Sequence, residues 1–195
     1  MAVNYNFDVD IDTADRNQVL KHFDYVTASI HRGKTIKKHN SGVYLQGIPV
    51  DPLSGFSRID YKDAEKQGWF KVDILNNTIY QYIRDQDHLK KLMHREPMWE
   101  LLEHDDIINR LYHINGHSEL VMQYKPTSTM ELAMLLAIIR PAKKHLVGKS
   151  FDEIAESVWD KPADNSYYFK KSHSVAFAKV IEVQMNLLAD GVTFT

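Results

Sequence analysis

The sequence predicts an α+β protein: a sheet with flanking helices in the first part of the chain, then a helical region. Three observations predict it. Two apolar, β-branched runs, Asn6-Phe7-Asp8-Val9-Asp10-Ile11-Asp12 and Phe70-Lys71-Val72-Asp73-Ile74-Leu75, have the composition of buried strands. From Ile79 onward the pattern turns helical and richly charged. Two capping-box signatures, Ser128-Thr129-Met130-Glu131 and Ser150-Phe151-Asp152-Glu153, open helices in that later part. With no internal repeat and no low-complexity tract, the boundary falls near residue 90. An α/β region over 1–90 and a helical region over 91–195 are expected.

Residues 3–11 read as the first strand. Asp12 then has the character of an N-cap, with Asp15 early in a helix that runs through Val19, Leu20 and Phe23. Residues 26–40 are basic and polar. Residues 41–48 alternate Val43 and Leu45 against Tyr44 and Gln46, a half-buried strand. Asp51-Pro52-Leu53-Ser54-Gly55 is a turn, and residues 69–75 form the second aspartate-bearing strand. Pro97 opens a segment through Trp99, Leu101 and Leu102 to Leu111, and Gly116 breaks it. Residues 130–139 form an apolar helix that Pro141 stops, with Lys143, Lys144 and His145 against its negative end. The last helix aligns Val175, Ala178, Ile181, Met185 and Leu188 on one stripe and ends at Gly191.

Composition narrows the function. The 195 residues are 44% hydrophobic, enough for a real core. A net charge of -2 gives no overall basic field, so any nucleic-acid binding must use local patches. Cysteine is absent, which excludes disulfides, zinc-thiolate sites and cysteine nucleophiles. The start of the chain has no basic region followed by an apolar one, so no secretory signal is expected. The longest apolar run, residues 132–139, is far short of the roughly 20 residues that cross a bilayer. A soluble cytoplasmic protein without a membrane partner is expected.

The aspartates carry the sharpest chemical reading. A carboxylate in an apolar strand is costly unless its charge is compensated. Alternation puts Asp8 and Asp10 on one face, and a neighbouring Asp73 strand would bring three carboxylates together. Two like charges about 4 Å apart repel by roughly 4 kcal/mol at an effective dielectric near 20. Hard cations with oxygen ligands, Mg²⁺ or Mn²⁺, relieve that repulsion and form the core of two-metal phosphoryl and nucleotidyl transfer. The plainer alternative makes these aspartates strand-end caps or surface residues. Lys71 shares the face of Asp73 and can reach a phosphate oxygen. Lys34, Lys37, Lys38 and His39 can follow a DNA backbone, or are simply solvated. Lys170, Lys171 and His173 stand where a helix N-terminus would attract an anion, or form an ordinary basic loop. His113 and His117 have i, i+4 spacing, but the intervening Asn115 and Gly116 argue against a helical zinc pair. Tyr167-Tyr168-Phe169 can stack on bases or pack the core, core packing being the better fit.

Taken in order, these blocks resemble a known family. Asn6-Phe7-Asp8-Val9-Asp10-Ile11, followed by Arg16 and Val19-Leu20, is similar to the palm motif of the bacterial DNA polymerase III alpha subunit, the C-family replicative polymerase. The family's stretch runs Asp-Phe-Asp-Ile-Asp-Phe, and its metal-binding second and third aspartates fall on Asp8 and Asp10; its first aspartate is Asn6 here. Lys38-His39-Asn40-Ser41-Gly42-Val43 resembles the family's Lys-His-Ala-Gly-Gly-Val. Phe70-Lys71-Val72-Asp73-Ile74-Leu75 resembles its Val-Lys-Phe-Asp-Phe-Leu strand, which makes Asp73 the third catalytic carboxylate. Lys125-Pro126 and Leu135-Leu136-Ala137-Ile138-Ile139-Arg140-Pro141 are similar to a fingers segment whose arginine lies near the incoming nucleotide. Residues 169–177, Phe-Lys-Lys-Ser-His-Ser-Val-Ala-Phe, are close to Phe-Asn-Lys-Ser-His-Ser-Ala-Ala-Tyr, a segment the family places near its active site.

The resemblance implies a nucleotidyltransferase-like palm sheet followed by a helical fingers-like region. Its implied partners are DNA and a deoxynucleoside triphosphate. The departures are equally plain. No Gly-Ser turn precedes the first aspartate strand, the palm insertion is reduced to residues 24–40, and much of the fingers between Lys149 and Tyr167 is missing. No counterpart of the family's phosphoesterase or clamp-binding modules is found. The resemblance therefore implies a miniature, phage-type palm-and-fingers piece, for which another polymerase subunit or replisome protein would complete the triphosphate site. The rival expectations are an inactive DNA- or replisome-binding derivative of that fold, and an interaction protein in which the old site survives as a buried ionic cluster.

Overall fold

The computed structural model describes residues 9–164 and 166–194, and the chain divides into two compact units between Gln81 and Tyr82. It is an α+β protein. The first unit holds one four-stranded mixed sheet, in the order β1-β4-β3-β2. Its strands are β1 (Val9–Thr13), β2 (Val26–Arg32), β3 (Thr35–Tyr44) and β4 (Val72–Asn76). β1 runs parallel to β4, while β3 is antiparallel to both β4 and β2.

Helix α1 (Arg16–Leu20) follows β1, and α2 (Tyr61–Lys66) precedes β4. Val43, Val72 and Ile74 form one small core with Leu20 of α1, with Val9 and Phe70 at its edge. Tyr44, next along the strand and so on the opposite face, joins Ala28, Ile48 and Ala64 of α2 in a second core.

Two readings of this unit need correction. Asp12 is not a cap. The β1–β4 ladder continues through Asp12↔Leu75 to Thr13↔Asn76, so Asp12 stays in the strand. The N-cap of α1 is Asp15, whose carboxylate accepts the Asn17 and Gln18 amides. Residues 24–40, expected as the remnant of a helical insertion, instead enter a hairpin of β2 and β3. Its loop, Gly33-Lys34, takes its positive φ of 58° at the glycine, and β3 ends at Tyr44 instead of running over 41–48. The β-branched residues Val26, Ile30, Thr35 and Ile36 carry that hairpin, and the lysines among them conceal it.

The second unit is helical. Helix α6 (Thr129–Ile138) is its axis, with every residue from Leu132 to Ile138 buried. An all-round apolar helix of this kind belongs at the centre of a core. It packs with α8 (Lys171–Ala189), which brings Ala178, Ile181 and Met185 to 0% exposure. Around them lie α3 (Gln86–His94), α4 (Asp105–Ile108), α5 (Ser118–Tyr124) and α7 (Phe151–Ala155), with short 3₁₀ turns between.

The caps follow the sequence with one adjustment. Ser150 and Glu153 form a full capping box. At α6, Ser128 accepts the Glu131 amide, but the Glu131 carboxylate turns back to the Thr127 amide and hydroxyl. Helix α8 ends in a Schellman arrangement, with the Gly191 amide on the Leu188 carbonyl, the Val192 amide on the Leu187 carbonyl, and Gly191 at φ 82°. Lys143 does not serve the end of α6; its ammonium is buried and donates to the Ser157 carbonyl at 2.6 Å, beyond α7. No helix among the described residues is long and apolar enough to cross a membrane.

Candidate functional site

The parallel register sets Asp10 directly opposite Asp73, and the antiparallel register sets Gly42 on the other side of Asp73. Register partners share a face, and neighbouring strands lie about 4.8 Å apart. Asp10, Asp73 and Gly42 therefore form one row across the sheet, with Asp12 and Lys71 on the same face. Asp10 is exposed, whereas Asp73 is only 8% exposed. Asp8 lies outside the described residues.

Asp73 is fully engaged. One carboxylate oxygen accepts the Ser41 hydroxyl at 2.7 Å, and the other accepts the Lys71 ammonium. The lysine is the counter-charge that a carboxylate in this position requires. It stands on Asp73 itself, where the sequence suggested a group held ready for a phosphate oxygen.

Glycine at 42 makes that contact possible. A Cβ there would stand 2.8 Å from Lys71 Cδ, 2.9 Å from His39 Nδ1 and 3.2 Å from Ala28 Cβ. The space that any other side chain needs is occupied by the lysine stem and the imidazole.

Ser41 reaches Asp73 through a wide bulge. The β2–β3 register steps from Thr27↔Val43 to Ser29↔Lys38, so residues 39–42 face the single residue Ala28. His39 Nδ1 accepts the amides of Gly42 at 2.9 Å and Ser41 at 3.4 Å, and the Arg16 guanidinium donates to the Ser41 carbonyl at 3.4 Å. Burial, then the Lys71 charge, lowers the His39 pKa against the opposing pull of Asp73 and Asp60. With Nδ1 used as an acceptor the ring is neutral, so its 3.7 Å approach to Asp73 is a contact and not an ion pair.

Asp12 has different company. The Asn77 amide approaches it at 3.5 Å, and burial together with the Asp12 charge raises the Tyr80 pKa. No family model, no curated protein and no solved structure matches this chain.

The remaining cations of the first unit are spread out. Lys34 occupies the hairpin turn. Lys37 and Lys38 are exposed and consecutive on β3, so they project from opposite faces. His39 turns inward, edge-on to the Tyr61 ring at 5.1 Å. These four residues do not make one basic surface.

Arg140, Lys170, Lys171 and His173 belong to the second unit. Arg140 lies over the Phe169 ring at 4.1 Å, and its Nε and Nη2 are buried without a hydrogen-bond partner. Burial lowers its pKa. His113 lies 4.1 Å from the Phe177 ring and His117 is nearby in sequence; burial, then Arg140, lowers both pKa values. His113 sits at φ 62°, so the chain at 113–117 is not helical. Lys170 caps α8 without a side-chain bond to its amides, Lys171 is exposed and His173 half-buried. Phe169 packs in the main core, while Tyr167 is 64% exposed.

Among the described residues, no group of three or more His, Asp or Glu side chains is placed to hold a metal ion. Asp10 and Asp73 offer two carboxylates on one face, an all-oxygen donor set of the kind hard cations take. Ser41 was not singled out from sequence. Its signal was present in the 38–43 block, one residue before a glycine that the sheet requires.

Proposed function

We propose that the first unit is a nucleotidyltransferase-like palm of the DNA polymerase III alpha type, acting in DNA replication as a reduced or split subunit. The observation that carries this reading is the row formed by Asp10 and Asp73 on adjacent parallel strands. It places together two aspartates that the resemblance makes catalytic, although they are 63 positions apart in the chain (73 − 10). In this reading Asp8, Asp10 and Asp73 hold Mg²⁺ or Mn²⁺, which would supply charge neutralisation at the reacting phosphate. The protein's own part is to present the carboxylates from a rigid sheet and to move Lys71 from Asp73 to a phosphate oxygen. Of the residues expected to meet the nucleotide's phosphates, Lys71 is the one that belongs to this unit.

Template-directed primer extension with Mg²⁺ or Mn²⁺ tests this, alone and with candidate partner subunits. Incorporation that Asp10→Ala and Asp73→Ala abolish supports the reading. No incorporation in any assembly containing the chain overturns it.

One observation favours a second reading. Both oxygens of Asp73 are already satisfied by Ser41 and Lys71, as in a closed ionic cluster without catalysis. The chain is then an interaction protein that keeps the old site only as an ionic cluster, or a DNA- or replisome-binding module. As a binding module it would hold DNA with an affinity that falls by roughly 0.9 log unit per phosphate contact per tenfold salt, and the aspartate variants would bind as well as the parent or better.

A further inference from the structure

We propose that His39 is a positioning residue for Asp73: its Nδ1 holds the 39–42 bulge in the shape that sets the Ser41 hydroxyl on the carboxylate. The inference deepens the functional reading above and rests on it for the importance of Asp73, but its geometry stands separately.

A bulge in which residues 39–42 oppose one partner strips backbone amides of their ladder acceptors. Buried amides must find other partners. Here a single imidazole nitrogen takes two of them, Gly42 at 2.9 Å and Ser41 at 3.4 Å. The ring packs in a T-shaped contact with Tyr61 at 5.1 Å, and the absence of a Cβ at Gly42 leaves it room. Ser41, fixed at its amide by His39 and at its carbonyl by Arg16, then directs its hydroxyl to Asp73 at 2.7 Å. His39 thus acts on the site through the backbone, where the sequence suggested a contact to DNA.

The chemistry distinguishes this role from simple space filling. An asparagine at 39 carries its amide oxygen at the same distance from the backbone as Nδ1. A glutamine carries it one bond further, near the place of Nε2. Both are neutral and polar, and only the first preserves the acceptor.

The experiment uses the full chain at pH 8, with His39→Ala, His39→Asn and His39→Gln. Amide exchange of Gly42 and Ser41 is read by NMR, with the Asp73 carboxyl ¹³C shift and Mn²⁺ affinity measured alongside. Loss of one such bond predicts Gly42 exchange about fivefold to tenfold faster in His39→Ala. A displaced Asp73 carboxyl shift and weaker Mn²⁺ binding should accompany it. Asparagine restores the parental values and glutamine does not. Unchanged Gly42 exchange in His39→Ala, or equal rescue by both amides, overturns the proposal. If His39→Ala does not fold, the asparagine–glutamine contrast decides. If the parent binds no Mn²⁺, the metal reading fails, while the exchange rates and the carboxyl shift still decide the positioning role.

Discussion

Asp10 stands beside Asp73 in the parallel ladder of β1 and β4, and the two carboxylates share a face of the sheet. One is exposed and the other nearly buried, and the buried one carries Lys71. That asymmetry makes Lys71 a built-in substitute for an external cation and the group any such cation must displace.

Lys71→Met should therefore do two things. It leaves Asp73 without its counter-charge in a site where the side chains are 19% and 12% exposed, and unfolding in urea should show a loss of about 3 kcal/mol. Mn²⁺ should then stabilise the variant more than the parent, because no ammonium competes for the oxygens. Equal stabilisation of the two proteins by Mn²⁺ would contradict the competition.

Gly42→Ala forces a methyl group against Lys71 Cδ and His39 Nδ1, at 2.8 and 2.9 Å. Overpacking of this kind costs about 1–3 kcal/mol. Gly47, where a Cβ meets nothing within 4 Å, is the control, and Gly47→Ala should stay within about 0.5 kcal/mol of the parent. Equilibrium unfolding of both variants measures the difference. Equal stabilities would mean that the lysine and imidazole yield freely.

The pH dependence has a definite sign. Burial, reinforced by Arg140, holds the folded-state pKa of His113 below the ordinary value of 6.5. An unfolded chain then binds more protons than the folded one between those values. The stability His113 contributes is fully present above pH 6.5 and is lost as pH falls from there through the lower folded value. His113→Asn, which tolerates the left-handed backbone at φ 62°, should make stability fall less steeply over that window. A slope as steep as the parent's in urea titrations would count against the assignment.

Arg140 tests the balance between a cation–ring contact and the desolvation of a buried guanidinium. Two of its guanidinium nitrogens are buried without a partner, so the folded chain gains little from its charge. Arg140→Met, which keeps an apolar stem on Phe169, should be neutral or stabilise by up to about 1 kcal/mol in thermal or urea unfolding. A marked loss of stability would show that the cation–ring contact outweighs the desolvation.

The sequence made some of this arrangement legible and hid the rest for identifiable reasons. The aspartate strands, the Ser150 capping box, helix α6 and the Gly191 terminus could be read because each depends on local chemistry: β-branched runs, caps and apolar periodicity. The hairpin at 26–44 was hidden because its lysines suggested a charge run, although Arg32-Gly33-Lys34-Thr35 has a two-residue turn at its centre. Asp15 takes the cap and Asp12 stays in the strand because the length of β1 is set by pairing to β4, 63 positions along the chain, where Asp12 faces Leu75 and Thr13 faces Asn76. Ser41 and His39 became site residues only through a bulge. A bulge is a mismatch between strands, and neither strand shows it alone.

The most direct test of the central claim is anomalous diffraction from crystals soaked in Mn²⁺ and a deoxynucleoside triphosphate. A manganese peak bridging Asp10 and Asp73, with Lys71 moved off the carboxylate, is the result this account predicts. Crystals with nucleotide bound, no manganese at those residues and Lys71 still seated on Asp73 would contradict it.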